Sequence, residues 1–506
     1  MEKVLTFITR RLRNYCRSIW NLFFFNLNYE KTVFLKPLPL IFFAAMCANA
    51  DVVSSGKWSE NSTWSEASAP TTSSSNPYTD LSFASSGITL EVDSNQYADR
   101  IQLGSTADTT ITIDAGASLT LLGYDAKVNS NGGPYYYISA NDVSDKLTFT
   151  GDGELVLSRT NETRFEKGQI VWDVNVTATT GSFYCLNGVS NASSLTINKS
   201  ANLQNRQANF GSWKIVLNSG ANVTSGFLIS SGSMEIASEA TYNASGGATL
   251  NNLTLNGSMS ISNWRDYQTE RMAAKISGTT VFGETASFTT TSTDSRAKVL
   301  FNGNVTSNAA KNAINIAGTA FLNNHVVMNL NSSNAIKTGS ASGQGDSTFY
   351  IVDYSTPKVG ESYVDTFAAS TATINLGANN DFGSLVFYNG SVLNLSTNGY
   401  NSTIGKIELY SGSGTYIINI SNLTDFTLKI NSLENINYED DGAGNMWATD
   451  IFIYDEDDLR SNAYLIADTT NGGWWINATS EIPEPAEIAA IFGALALGLA
   501  CCRKRK

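Results

Sequence analysis

The chain contains a single histidine, His325, and this residue limits the catalytic chemistries open to the protein. Ser-His-Asp or Cys-His catalysis needs an imidazole as its base. No Gly-x-Ser-x-Gly turn accompanies His325, and no cysteine partner is evident. The sequence also lacks a His/Cys cluster with metal-ligand spacing and a phosphate-binding loop. We therefore expect His325 to occupy a structural position on a strand face or in a turn.

Carboxylates grouped with basic residues would be a second route to catalysis, because two acids that flank a sugar bond can serve as general acid and base. The densest such group near the clear repeats is Trp264, Arg265, Asp266, Glu270 and Arg271. It follows directly on a regular repeat, at the point where the period breaks. The pattern predicts a charged surface insertion, and we expect no catalytic residues and no enzyme activity.

Two acidic runs, at 439–441 and 455–458, hold the hard oxygen ligands that calcium prefers. Neither run has the spacing of an EF-hand loop. Charge runs of this kind are usually solvated. We therefore expect no metal site and no cofactor.

Composition indicates a β protein that avoids nucleic acid. Charged residues make up 15% of the 506 residues, and the abundant Ser, Thr, Asn and Gly suit strands joined by tight turns. Residues 1–50 and the tail after Pro485 hold 11 of the 32 basic residues but 3 of the 45 acidic ones. The body between them keeps 21 basic and 42 acidic residues, a net charge of −21, which should repel DNA, RNA and anionic lipid.

Cys185 is the one cysteine of this body, so a disulfide framework is excluded.

A short phrase recurs along the body: an apolar strand end, a polar turn, and a new apolar strand start. Consecutive copies begin at Ile197, Leu217, Ile236 and Leu255, with offsets of 20, 19 and 19 residues. The flanking strands alternate, as in Ser194-Leu195-Thr196-Ile197, which places one face inward and one outward.

A fixed period with turns at a constant phase predicts a solenoid. The predicted fold is therefore all-β, a parallel β-helix of roughly 20-residue coils, followed by a short C-terminal apolar helix. About 20 such coils would fit between Asp51 and Pro485. A string of β-sandwiches is the alternative, because sandwich strands also alternate.

Two tryptophans, Trp58 and Trp64, stand at the start of the body. Their pattern resembles the lead-in to autotransporter-associated β-strand repeats. Bulky aromatic residues can cover the open end of a solenoid, and we expect that role. Stacking of a sugar on either indole is the alternative.

The N-terminal region has the pattern of an export signal. An apolar core at residues 37–47 follows Lys31 and Lys36, and Ala48-Asn49-Ala50 has the small-x-small pattern of a signal peptidase site. Ala48 and Ala50 would be the cleavage residues.

The C-terminal region combines three features in order. Pro483-Glu484-Pro485 precedes an apolar stretch at 488–502, and Arg503, Lys504, Arg505 and Lys506 follow. The two prolines favour an extended segment, and the basic residues should stay on the cytoplasmic side of a membrane.

This tail resembles the PEP-CTERM sorting domain. The resemblance implies recognition of Pro483, Glu484 and Pro485 by an exosortase-type membrane transpeptidase, with anchoring through the apolar helix before processing. A plain C-terminal anchor is the alternative.

The predicted organisation is a signal region at 1–50, a β-solenoid at 51–420, a cap or small β module at 421–480, and a sorting tail with a membrane helix at 481–506. We expect an exported structural or adhesive protein of the cell envelope, outer surface or extracellular matrix of a Gram-negative-type bacterium, with extracellular polysaccharide as a partner. The alternative is a β-helix polysaccharide lyase or glycosidase, which would place carboxylates with Arg or Lys in a groove.

Overall fold

A computed structural model describes residues 51–479, apart from residues 67, 76, 104–107, 123–137, 141, 186–192, 264, 268–269, 295–296, 340–346, 360–361, 441, 443–444 and 455–459. The architecture is all-β, a parallel β-solenoid of about 13 turns. This confirms the predicted fold class. The predicted C-terminal apolar helix lies outside the described residues, and among those described no helix is long and apolar enough to span a bilayer.

The first third of the solenoid contains strands β1 to β14 and a single 3-10 turn at Asn61–Thr63. The strands are β1 Asp51–Val52, β2 Gly56–Lys57, β3 Tyr78–Phe83, β4 Thr89–Val92, β5 Gln96–Gln102, β6 Asp108–Ile113, β7 Ser118–Leu121, β8 Ile138–Ser139, β9 Lys146–Phe165, β10 Gln169–Cys185, β11 Ser194–Ile197, β12 Ser200–Asn209, β13 Lys214–Leu217 and β14 Asn222–Ser230.

The middle third contains strands β15 to β28. They are β15 Ser233–Ile236, β16 Thr241–Ala244, β17 Ala248–Asn251, β18 Leu253–Leu255, β19 Ser258–Ile261, β20 Arg265–Tyr267, β21 Glu270–Met272, β22 Ala274–Phe282, β23 Ser287–Thr290, β24 Val299–Ser307, β25 Ile314–Ile316, β26 Ala320–Leu322, β27 Val327–Leu330 and β28 Ile336–Thr338.

The final third contains strands β29 to β42. They are β29 Ser347–Ser355, β30 Lys358–Val359, β31 Ser362–Tyr363, β32 Thr366–Ala369, β33 Thr371–Leu376, β34 Asp381–Phe387, β35 Ser391–Ser396, β36 Ser402–Leu409, β37 Tyr416–Ser421, β38 Leu428–Ile430, β39 Tyr438–Asp440, β40 Met446–Tyr454, β41 Arg460–Ala467 and β42 Trp474–Asn477.

Three parallel ladders run through the most regular turns. One joins β13, β15 and β18, a second joins β14, β16 and β19, and a third joins β14, β17 and β22. Inward side chains stack in register from turn to turn, and each of these is at most 1% exposed: Ile111, Phe149, Trp172, Ile197, Leu217, Ile236, Leu255 and Phe282. The alternation visible in the sequence is therefore the wall of one continuous apolar core.

The repeated phrases are the turns that connect the first ladder to the second. Leu217 lies opposite Ile236, and Ile236 lies opposite Leu255, as the spacing predicts. The last copy has a shorter turn, so Met259 rather than Ile261 stands opposite Tyr242.

The prediction of about 20 coils is wrong, because the 20-residue period holds over only a few turns. Side chains that stack between neighbouring turns are 20 residues apart at Asn198 and Asn218, but 46 apart at Asn329 and Asn375. Insertions between strands make some turns of the solenoid longer than 20 residues. One is the antiparallel hairpin β20–β21, and another contains β30–β32.

Amide side chains form a second set of ladders outside the core. Asn329 donates to the Thr306 hydroxyl over 3.3 Å and accepts from the Asn375 amide over 2.9 Å. The same amide-to-amide bond recurs between Asn198 and Asn218, Asn308 and Asn331, Asn394 and Asn419, and Asn398 and Asn422. Much of the asparagine that enriches this sequence therefore bonds one turn to the next.

The solenoid ends in antiparallel strands. β39 pairs with β40, β40 with β41, and β41 with β42, all antiparallel. These strands lie within the predicted module at 421–480. Nevertheless, β38 and β40 still extend parallel ladders from β36 and β37. The last turn and the antiparallel strands therefore share one sheet.

Candidate functional site

His325 lies in an exposed turn, as expected. Its backbone is in the left-handed region at φ 64°, and its N–H donates to the Thr371 carbonyl over 2.8 Å. The imidazole Nε2 lies 3.2 Å from the Asn324 side-chain amide. The residue closes a turn between neighbouring coils, and these contacts bring no nucleophile to it.

The predicted cleavage and sorting residues lie outside the described part of the chain. These are Ala48, Ala50, Pro483, Glu484, Pro485, Arg503, Lys504, Arg505 and Lys506. Their roles remain predictions.

The charged group after the fourth repeat forms an insertion. Arg265 pairs with Met272, and Tyr267 with Glu270, in an antiparallel hairpin separate from the main sheet. Of the acidic runs, Glu439 and Asp440 are exposed, while 441 and 455–458 lie outside the described residues. Across the described residues, no group of three or more His, Cys, Asp or Glu side chains could hold a metal ion.

Trp58 and Trp64 are buried in the first turn, at 1% and 2% exposure, with their ring centroids 4.9 Å apart. The Trp58 indole N–H donates to the Pro70 carbonyl over 3.0 Å, and the Trp64 N–H donates to the Trp58 carbonyl over 2.9 Å. Neither indole face is open to a sugar, so the stacking alternative for these two residues is wrong.

One pair of carboxylates lies beside an arginine in the early turns. The Arg100 guanidinium binds both carboxylate oxygens of Asp80, whose side chain is only 10% exposed. Burial raises the pKa of the neighbouring Asp99 to about 6, and the Asp80 charge adds to the effect. Sequence reasoning missed this cluster, because Asp80 and Arg100 meet only through the pairing of β3 with β5.

A second apolar cluster lies outside the solenoid core. We term it the outer aromatic cluster, and it consists of Met272, Leu300, Phe321, Tyr350, Val352, Tyr354, Phe367 and Tyr388, with Tyr410 against its edge. The Phe321 and Tyr354 rings stack at 5.0 Å, and the Phe367 and Tyr410 rings lie 4.7 Å apart. Tyr410 is 37% exposed, so the cluster reaches the surface.

Two antiparallel segments contribute several residues to this cluster. After Ile351 the chain leaves the parallel ladder, and residues 352–355 pair with 366–369. We term these two segments the flap. Lys298 immediately precedes β24. Its ammonium lies 2.9 Å from the Tyr354 hydroxyl of the flap and 2.9 Å from the Asp365 carboxylate. Strand β29 carries the signal that could have revealed the cluster, since Phe349-Tyr350-Ile351-Val352 is apolar on both faces.

A groove of about 330 Å³ opens beside the cluster. Polar side chains, backbone and one aromatic ring line it: Thr293, Asp294, Ala317, Gly318, Thr319, Thr338, Gly339, Thr348 and Tyr350. These residues come from three successive turns, because Thr290, Ile316 and Thr338 stack in register. The groove therefore crosses the coils at one corner of the solenoid.

Glycine is required at position 318 of the lining for a steric reason. A Cβ at Gly318 would lie 2.1 Å from the Ala297 carbonyl oxygen, so any side chain there would clash. One wall is the Tyr350 ring, which packs against Phe321 at 5.1 Å and Tyr410 at 6.0 Å. Burial raises the pKa of Tyr350, with a further contribution from Glu408, so its hydroxyl stays protonated at neutral pH.

The fold and this groove define the class of the molecule, a parallel β-solenoid with an outer aromatic cluster. No protein-family model matches the sequence, and searches of curated proteins and of solved structures found no similar chain.

Proposed function

We propose that the protein is an exported structural and adhesive component of the cell envelope or extracellular matrix, sorted by its C-terminal PEP-CTERM signal. The observation that supports this most is the solenoid itself. Its turns are held together by apolar stacking inside and by amide ladders outside. Such a repeat presents a long, rigid surface at which many weak contacts can act together.

The sorting tail supports export to the outer envelope. A Pro-Glu-Pro motif before an apolar stretch and a basic terminus resembles the signal that an exosortase-type transpeptidase recognises. The net charge of −21 between the two ends is consistent with a partner that carries no negative charge.

The experiment compares the protein in its native host with a variant in which Pro483, Glu484 and Pro485 are all alanine. Wild type should lose its tail near Pro485 and fractionate with the outer envelope or matrix, and the variant should keep the tail in the inner membrane. A Thr479→Ala, Ser480→Ala variant is the matched control, because it changes the adjacent residues and keeps the motif. Identical mass and fractionation of wild type and motif variant would overturn the sorting proposal.

The Asp80, Asp99 and Arg100 cluster supports a second candidate, a polysaccharide lyase or glycosidase. A carboxyl group with a pKa of about 6 can exchange a proton near neutral pH. The test incubates the protein and its Asp99→Asn variant with neutral and acidic polysaccharides and measures new reducing ends. Release by wild type that the variant abolishes would establish this candidate. Equal reducing ends with and without protein would remove it.

A further inference from the structure

We propose that the groove at the solenoid corner binds a neutral polysaccharide, with Tyr350 as its stacking wall. This inference rests on the adhesive function proposed above and adds a site and a ligand class to it.

The lining has the chemistry that a sugar needs. Thr293, Thr319 and Thr348 bring hydroxyl groups, which can both donate and accept hydrogen bonds. Thr338 has another role, since its hydroxyl accepts the Thr348 backbone N–H over 2.6 Å and so fixes the strand beneath. A polyhydroxylated ligand matches such a set better than an apolar one, because an apolar ligand would leave these polar groups unpaired.

The aromatic wall provides the apolar contact. The C–H face of a sugar ring packs on an aromatic face, and tyrosine suits this because its ring is apolar and its hydroxyl is polar. The Tyr350 ring is half-buried and held between Phe321 and Tyr410. It is therefore already in position before a ligand arrives, which lowers the entropic cost of binding.

Charge favours a neutral ligand over an acidic one. Asp294 lies in the groove, and Glu408 is close enough to Tyr350 to raise its pKa. Lys406 lies 2.6 Å from Glu408 and neutralises it in part. Because the net charge of the body is −21, a uronic acid chain would be repelled.

The groove also has a direction that suits a polymer. Its residues come from three successive turns, and neighbouring turns are about 4.8 Å apart, so the groove extends roughly 10 Å along the stack. An extended glycan could continue past both ends of such a groove. Gly318 in the lining has no side chain that could interrupt this path.

The test measures binding of cellohexaose, laminarihexaose and oligogalacturonate to the full-length protein by isothermal titration calorimetry. Binding of at least one neutral hexasaccharide should reach saturation. Oligogalacturonate should bind at least tenfold more weakly than that hexasaccharide. Tyr350→Ala should weaken binding of that hexasaccharide at least tenfold, and Thr319→Val about fivefold.

Two control variants match these changes outside the groove. Tyr400→Ala removes a tyrosine that is 38% exposed, and Thr249→Val removes a half-buried hydroxyl from the outer face of β17. Thermal melts show whether each variant is folded. If Tyr350→Ala does not fold, Thr319→Val still decides the question, because it keeps the side-chain shape.

Three results would overturn the proposal: no saturation with either neutral hexasaccharide, tighter binding of oligogalacturonate, or equal losses in groove and control variants. Each of these leaves the sorting experiment untouched. A protein that is processed and exported but binds no neutral glycan would therefore keep the proposed function and lose only this site.

Discussion

The Lys298 ammonium lies 2.9 Å from the Asp365 carboxylate, and this ion pair joins the residue just before the second flap segment to the solenoid. The lysine side chain is only 11% exposed, whereas that of Asp365 is 37% exposed. Its ammonium also lies 4.3 Å from the centroid of the Tyr354 ring. A cation in this position depends on its partner, because water reaches it poorly.

Asp365→Ala should therefore lower the free energy of local opening of the flap by about 2 kcal/mol, since it leaves a buried ammonium without its carboxylate. Hydrogen exchange should accelerate at 352–355 and 366–369 and stay unchanged in the earlier coils. Glu91→Ala is the control, because the Lys57–Glu91 pair is 46% and 34% exposed and should matter little. Equal effects of the two changes would contradict the assignment.

Asp99 should make stability depend on pH in an unusual direction. Its pKa in the folded protein is about 6 against an ordinary 3.8, so folding favours its protonated form. The contribution of Asp99 to stability is complete below about pH 4 and is lost as the pH rises through about 6. Asp99→Asn should therefore stabilise the protein above pH 6, by about 1 kcal/mol after allowance for its half-exposed position.

Thermal melts from pH 4 to pH 8 test this prediction for Asp99. The gap between variant and wild type should close toward pH 4. Asp142 is the opposite case, because hydrogen bonds from Ser144 lower its pKa. Asp142→Asn should therefore destabilise at neutral pH, and a gain there would show that the sign argument does not hold for this fold.

The amide ladders predict a cost that depends on burial. Asn329→Ala removes two bonds at once, one to Thr306 and one from Asn375, both in a half-buried row. We expect a loss of about 1 to 2 kcal/mol in urea unfolding. Asn331→Ala removes one exposed bond, to Asn308, and should cost clearly less. An equal loss of unfolding free energy in Asn331→Ala and Asn329→Ala would contradict this dependence on burial.

Trp58 should be important for stability and irrelevant to sugar binding. Trp58→Ala removes a side chain that is 1% exposed and leaves a cavity against Trp64. The free energy of unfolding of the first turns should therefore fall by about 3 to 5 kcal/mol. Limited proteolysis should then cut within residues 51–70 before the middle coils. Tyr438→Ala, at a 46% exposed residue, is the control and should leave the cleavage pattern unchanged. A loss of hexasaccharide binding in a folded Trp58 variant would count against the groove at Tyr350.

The fold class could be predicted from the amino-acid sequence alone. Alternating apolar residues at a constant distance from polar turns can bury one face only by stacking, which is why Leu217, Ile236 and Leu255 align in the structure as their spacing predicts. The sequence also predicted a turn or a strand face for His325, and the residue lies in an exposed turn. The number of coils did not follow, because an insertion such as the one between Asn329 and Asn375 lengthens a turn without changing the ladder.

Which polar and aromatic residues reach the surface depends on tertiary packing and could not be predicted from the sequence. Trp58 and Trp64, expected to cover the open end of the solenoid, are buried in the first turn, whereas Tyr350 and Tyr410 lie in and against the outer aromatic cluster near the surface. Asp80 meets Arg100, and Lys298 meets Asp365, across separations that only strand pairing closes. The physical reason is that a local period fixes which way each side chain points, while the register and the insertions between coils fix what it meets.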